Sequence, residues 1–286
     1  MYLCQAGQRS RTGLMNELGV NPEDVRGWFP HEREAPYVLV RVSDEHVKGW
    51  ADVLGLAVRR CYVTDALLSQ SATARKIRQL DVIAAKLPDA GATMAGDFGE
   101  ILVYLYQGAI EHPRVAIGAT KWRLKQDRTK PSHYSDVVQL VLPSWPTPSA
   151  DDAVLCSEVK TKSTKSTFTP IKKAIEGCEK DRTSRLAGTL VWLRERAFTE
   201  DLGDLTIDHL DRFINATDHP PAQKRFRAVA VVAAELLEPE LADAPAEAPT
   251  DYTVVVISVP ELQATYTSVF AAARQAIAAA EAEITA

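Results

Sequence analysis

The chain has no long apolar run, no paired cysteines and no glycine-rich phosphate loop. No stretch approaches the ~20 apolar residues of a membrane-spanning helix. The N-terminus lacks the apolar segment of a signal peptide, so the sequence reads as cytoplasmic. Its four cysteines, Cys4, Cys61, Cys156 and Cys178, lie far apart without a C-x-x-C pair. That spacing indicates neither a zinc site nor a disulfide framework. Cys156 reads as a small apolar strand residue and Cys178 as part of a helix face. Walker and G-x-G-x-x-G patterns are absent, so nothing points to nucleotide hydrolysis. Aromatic residues are only 7% of the chain, and no recognition helix stands out, which gives a sequence-specific restriction enzyme little support. A net charge of −5 argues against a generic nucleic-acid coat. It does not exclude an enzyme that gathers its basic residues on one face.

What is present is ordinary in bulk: 286 residues, 46% hydrophobic and 25% charged, enough for a full core. Tyr37 to Val42 reads as a strand. Ser43 to Leu54 reads as a helix, with Val47, Trp50, Ala51 and Leu54 at helical spacing. Asp65 to Leu87 continues as helix, with Thr64 as its N-cap and Pro88 after its end. Residues 1–90 offer no chemistry; they read as an N-terminal α/β elaboration and a possible partner surface, with the main domain over residues 91–286.

Gly96 to Ile110 is a packed helix, marked by Phe98, Ile101, Leu102 and Leu105. Glu100 has two readings. It is either a helix-start glutamate favoured by the dipole or an acidic residue leaning toward a metal site. Arg114 to Lys130 then concentrates positive charge. Val115 to Gly118 reads as a short strand, and continued alternation would place Lys121, Arg123 and Lys125 on one face. Such a run is either a solvated surface or a set of phosphate contacts.

The informative stretch is Ala153-Val-Leu-Cys-Ser-Glu-Val-Lys160. In a strand, Glu158 and Lys160 emerge on one side while Val159 points to the other. Unpaired buried charge is costly, so the pair is either a salt bridge at a strand end or a site. Upstream, Asp136 opens another apolar strand running to Leu142, and the proline-rich segment from Pro143 to Ala150 joins the two as a hairpin. Two carboxylates and a lysine then converge. Asp136, Glu158 and the Val159 carbonyl would hold Mg²⁺ (or Mn²⁺), Lys160 would orient or activate water and neutralise phosphate, and Glu100 would hold a second ion or orient water. Lys162 and Lys165 follow in a polar basic segment. Thr169 and Pro170 open a helix whose first turn carries Lys172 and Lys173, a place where cations suggest an anionic partner.

Ala187 to Leu193 reads as a buried strand returning in a β-α-β unit. Arg225 to Ala234 and Tyr252 to Val259 are two further strands. Residues 238–250 read as an acidic, Ala/Pro-rich surface loop, and a last helix is expected from Pro260 to Ile284.

The segments Gly96-Asp-Phe-Gly-Glu-Ile-Leu102, Thr120-Lys-Trp-Arg-Leu-Lys125, Ser135-Asp136 and Ser157-Glu-Val-Lys160 resemble the HamA family, the nuclease subunit of the Hachiman anti-phage system. The likeness covers roughly residues 96–196. It implies an α/β fold of the restriction-endonuclease-like PD-(D/E)xK type, with a mixed central sheet flanked by helices. It also implies a helicase partner, HamB, and DNA as substrate. Carried across, the motif falls on Asp136, Glu158 and Lys160, with Glu100 less directly matched. Ser135 stands where the motif's name has proline. Set against a metal-dependent DNA nuclease is a non-catalytic DNA-binding or partner-binding module that keeps the same fold.

Overall fold

The computed structural model describes residues 17–131 and 134–278. Two strands, β1 (His31–Arg33) and β2 (Val38–Arg41), follow a short helix α1 (Pro22–Gly27), whose Asn21 side chain caps the Glu23 N–H. Helix α2 runs from Asp44 to Tyr62, two turns beyond the expected end, because Ala57, Val58 and Cys61 continue its buried stripe. The expected helix over 65–87 is two helices, α3 (Asp65–Arg75) and α4 (Gln79–Lys86). Lys76 ends α3 in the left-handed region at φ 55°, while Thr64 caps its start as the sequence suggested. Helix α5 spans Ala92–Glu111.

Strands β3 (Ala116–Gly118), β4 (Val137–Val141) and β5 (Ala153–Lys162) follow, then helices α6 (Pro170–Lys180), α7 (Leu186–Arg196) and α8 (Ile207–Ile214). The chain ends its described part with β6 (Gln223–Ala233), the one-turn helix α9 (Leu237–Glu240), β7 (Thr253–Val259) and α10 (Leu262–Gln275). Part of the expected last helix, residues 279–286, lies outside the described residues.

Ala187 to Leu193 is helix α7, not a strand. A short apolar run does not by itself distinguish the two; Leu186, Leu190 and Leu193 recur at helical spacing and bury one face. The crossover it belongs to is nonetheless parallel, joining β5 to β6 instead. The expected loop over 238–250 begins inside α9, and Glu240 there is buried.

Among the described residues the sheet has seven strands in the order β1-β2-β7-β6-β5-β4-β3. Its centre, β2-β7-β6-β5, is parallel, and β4 and β3 add antiparallel strands at one side. The fold is thus mixed α/β with a sheet flanked by helices, as the sequence implied. The larger core packs Trp50, Leu54 and Val58 of α2 with Phe98 and Leu102 of α5 and Val269 and Phe270 of α10. A second core joins Val138, Leu140 and Cys156 to Leu186, Leu190 and Leu193 of α7. Residues 1–90 supply two of the seven strands, so the N-terminal part extends the sheet from which the carboxylates project. No described helix is long and apolar enough to cross a membrane.

Candidate active site

The β4–β5 hairpin positions the site through its register. Val137 pairs with Ser157, so Asp136, one residue before β4, falls beside Glu158. The Asp136 carboxylate accepts the Val159 N–H at 2.8 Å, which fixes its orientation and satisfies a buried donor. Glu158 and Lys160 share a face as expected. The Lys160 ammonium donates to Glu158 Oε1 at 2.5 Å and to the Val159 carbonyl at 3.0 Å, and lies 3.5 Å from Asp136 Oδ2. Since one nitrogen touches both carboxylates, their nearest oxygens are separated by no more than the sum of those distances, 6.0 Å.

The ammonium therefore occupies the meeting point of the three oxygen donors assigned to a metal. Oxygen ligands converging on a point positive charge fit Mg²⁺ or Mn²⁺. Glu100 supplies a further observation: its Oε2 is buried without a hydrogen-bond partner, and its side chain lines the same cleft, of about 360 Å³, with Asp136, Val159 and Lys160. An orphaned carboxylate oxygen beside two more carboxylates is a group that a cation would satisfy. Among the described residues no three acidic, histidine or cysteine side chains already stand as a metal-holding group. Lys160 fills the centre between Asp136 and Glu158 instead.

Electrostatics agree with this crowding. Burial, reinforced by the Asp136 charge, pushes the Glu100 carboxyl up to about 8. The same two causes raise Glu158 to about 7, against the opposing pull of Lys160 and Arg185. Burial alone would lower the Lys160 ammonium, but the Asp136 and Glu158 charges outweigh it and the net shift is upward. Lys160 is thus held firmly as a cation.

Glu100 does not sit at a helix start. Helix α5 begins at Ala92, two turns earlier, which removes the dipole reading of this residue. Its closest neighbours along the helix are conditioned by tight packing: a β-carbon at Gly99 would lie 3.3 Å from Thr161 Cβ.

Arg185 was not apparent from the sequence. Its guanidinium binds Glu158 Oε2, the Gly177 carbonyl at 2.9 Å and Asp181 Oδ1 at 2.6 Å. It is delivered by a π-helical segment, Asp181–Arg185, between α6 and α7, a local distortion frequent at functional sites. Asp181 in turn accepts the Ser135 hydroxyl at 2.7 Å, closing a chain from α6 back to the residue before Asp136. The only sequence signal was a dense charged run, Asp181-Arg-Thr-Ser-Arg185, after an amphipathic helix.

The proposed phosphate contacts divide. Lys121, Arg123 and Lys125 do not alternate on a strand, because Lys121–Leu124 is a 3₁₀ turn. The Lys121 ammonium donates to the Ser135 carbonyl, Arg123 to the Arg60 carbonyl and Glu17, and Lys125 to Asp97 at 2.5 and 2.7 Å. All three charges are engaged inside the protein. Lys162 is likewise buried, bound to Glu240 at 2.6 Å and to the carbonyls of Ser166 and Phe168. Lys165, Lys172 and Lys173 are exposed, Lys173 pairing with Glu176 at 2.7 Å. Pro170 opens α6 as expected, but the Thr169 side chain makes no capping bond.

No curated protein matches this chain. The HamA family model matches residues 22–273, well beyond the segments that first suggested it, and takes in the whole sheet from β1 to β7. The chain belongs to the HamA family.

Proposed function

We propose that this protein is a metal-dependent DNA nuclease, the effector of a Hachiman anti-phage defence system acting with a helicase subunit. The observation that carries the reading is the single point at which the Lys160 nitrogen meets Glu158 Oε1, the Val159 carbonyl and Asp136. Those donors, with Glu100 behind them, would hold Mg²⁺ or Mn²⁺. Such an ion supplies positive charge at the scissile phosphate and makes water a better nucleophile.

The chain's own groups do the rest. Asp136 is locked by the Val159 N–H and presents its charge from a fixed direction. Arg185 captures the outer oxygen of Glu158, leaving Oε1 to face the reacting centre. Lys160, kept protonated by the Asp136 and Glu158 charges in the metal-free protein, would neutralise phosphate charge and orient water through its ammonium hydrogens. Glu100, whose carboxyl burial and the Asp136 charge raise to about 8 without metal, would be held ionised once it faces a bound cation.

The test is cleavage of plasmid DNA by the purified chain with Mg²⁺ or Mn²⁺, run with and without its helicase partner. Asp136→Asn and Glu158→Gln should abolish cleavage, and activity surviving both would remove the site. A second reading draws on the two cations already bound to Glu158: a silent module that binds DNA or a partner through the same fold. It requires salt-dependent DNA binding that Glu158→Gln leaves unchanged, and no metal-dependent cutting in any complex.

A further inference from the structure

Beside the carboxylate cleft lies another of about 350 Å³, and Pro131 borders both. Its volume is at the lower end of the ~300–1,000 Å³ range of small-ligand sites. Lys121, Lys125, Lys130 and Arg196 line it with Asp127. Lys125 is paired with Asp97 and Lys130 with Asp127, so the positive charge facing the cleft comes chiefly from Arg196. Trp192 of α7 also lines it. The Trp192 ring packs 5.8 Å from that of Tyr134 with the planes inclined at 43°. The Arg196 guanidinium lies 5.9 Å from the Trp192 centroid.

Tyr134 is unusual in two ways. It is 46% exposed, and its φ of 67° lies in the left-handed region, which bulky residues rarely adopt. Such strain clusters at functional positions. Here it holds an exposed ring two residues before Asp136. The end of α7 repeats the pairing of cation and ring, with Arg194 5.3 Å from the centroid of Phe198, itself 62% exposed.

We propose that an unpaired base of single-stranded DNA stacks on the exposed Tyr134 ring, which packs on Trp192 at the wall of this cleft, with the following phosphates leading to the carboxylates. The proposal rests on the nuclease reading of that site and adds which form of DNA it engages. Bases in a duplex have their faces covered by neighbours; an unpaired base offers a free π-face, and stacking on an aromatic is sequence-tolerant. The arginine beside the ring adds a cation attracted both to the base and to its phosphate. The protein therefore grips frayed or unwound strands in preference to intact duplex.

The experiment is fluorescence anisotropy of a labelled oligodeoxynucleotide, single-stranded and as its duplex, with the full chain in EDTA so that no cutting occurs. The single strand should bind at least about tenfold more tightly than the duplex and should quench tryptophan emission. Tyr134→Ala should weaken single-strand binding by at least about fivefold, and Arg196→Ala should weaken it as well, while Tyr134→Phe stays within about twofold of the parent. Duplex binding should be unmoved by Tyr134→Ala. Equal affinity for the two forms, or single-strand binding indifferent to Tyr134→Ala, overturns the proposal. Because binding is read without metal, its failure leaves cleavage through Asp136 and Glu158 to be judged on its own. Conversely, an inactive site would not alter the stacking result.

Discussion

Gly177 on α6 lies directly over Glu158: a β-carbon at this position would stand 2.6 Å from Glu158 Cγ. Glu158 cannot swing away freely, because Lys160 holds one of its oxygens and Arg185 the other. The glycine is thus a spatial requirement of the carboxylate, not of the helix.

Gly177→Ala affects activity and stability unequally. Alanine in a helix interior is favoured over glycine by ~0.5–1 kcal/mol, which offsets part of the cost of displacing Glu158. Thermal stability should therefore fall, but by less than the displacement of Glu158 alone would cost. Cleavage should fall by at least about tenfold, equivalent to ~1.4 kcal/mol in the barrier, and Mn²⁺ affinity should fall with it. Unchanged cleavage in a correctly folded variant would show that the Glu158 position is not critical.

Asp136 offers a contrast between two substitutions. In Asp136→Asn the amide oxygen still accepts the Val159 N–H, so the protein should remain about as stable while losing cation binding. Asp136→Ala leaves that buried N–H without a partner and should cost ~1–3 kcal/mol in chemical denaturation. Equal stability of the two would mean that the hydrogen bond contributes nothing.

The metal-free protein should lose stability as pH rises from about 4.5 to about 8. Glu100 has its folded-state pKa raised from 4.5 to about 8 by burial and the Asp136 charge. Between those values the folded state binds more protons than the unfolded chain, so unfolding becomes easier with increasing pH. Glu100→Gln should flatten this slope in melting-temperature measurements. Mn²⁺, which needs the ionised carboxyl, should bind the parent more tightly at the upper end of the same interval. A slope identical in parent and variant would dismiss Glu100 as its source.

The basic residues should sort by burial. Lys125 and Asp97 form a nearly solvent-free ion pair, so Lys125→Ala leaves a buried charge unpaired and should destabilise by ~3–5 kcal/mol. Lys165→Ala and Lys172→Ala, at exposed positions, should change stability by less than ~0.5 kcal/mol. If these lysines touch phosphates, each substitution should reduce the slope of log affinity against log salt by about 1. A slope that ignores both would exclude this surface from DNA contact.

The hairpin that carries the acidic pair was legible because each of its signals was local. Alternation placed Glu158 with Lys160, and the prolines between Leu142 and Ala150 marked the connection. Arg185 was hidden because it reaches Glu158 across 27 residues of sequence and through a π-helical turn that has no periodic signature. The basic run at 121–125 misled for the opposite reason. Its charges have internal partners, Asp97, Glu17 and the carbonyls of Arg60 and Ser135, that only the folded chain brings near. The run from Ala187 to Leu193 was ambiguous in kind, since its apolar residues satisfy a strand and a buried helix alike until the leucine spacing meets the second core.

The strand order has a consequence for biosynthesis. Strand β2 finds its parallel neighbour only in β7, the last of the described strands along the chain. Until then β2 has an unsatisfied inner margin, a surface prone to mispairing. Vectorial growth cannot complete this sheet piecemeal; maturation awaits synthesis through Val259. A translation product halted before Thr253 would strand its amino-terminal segment without a seat.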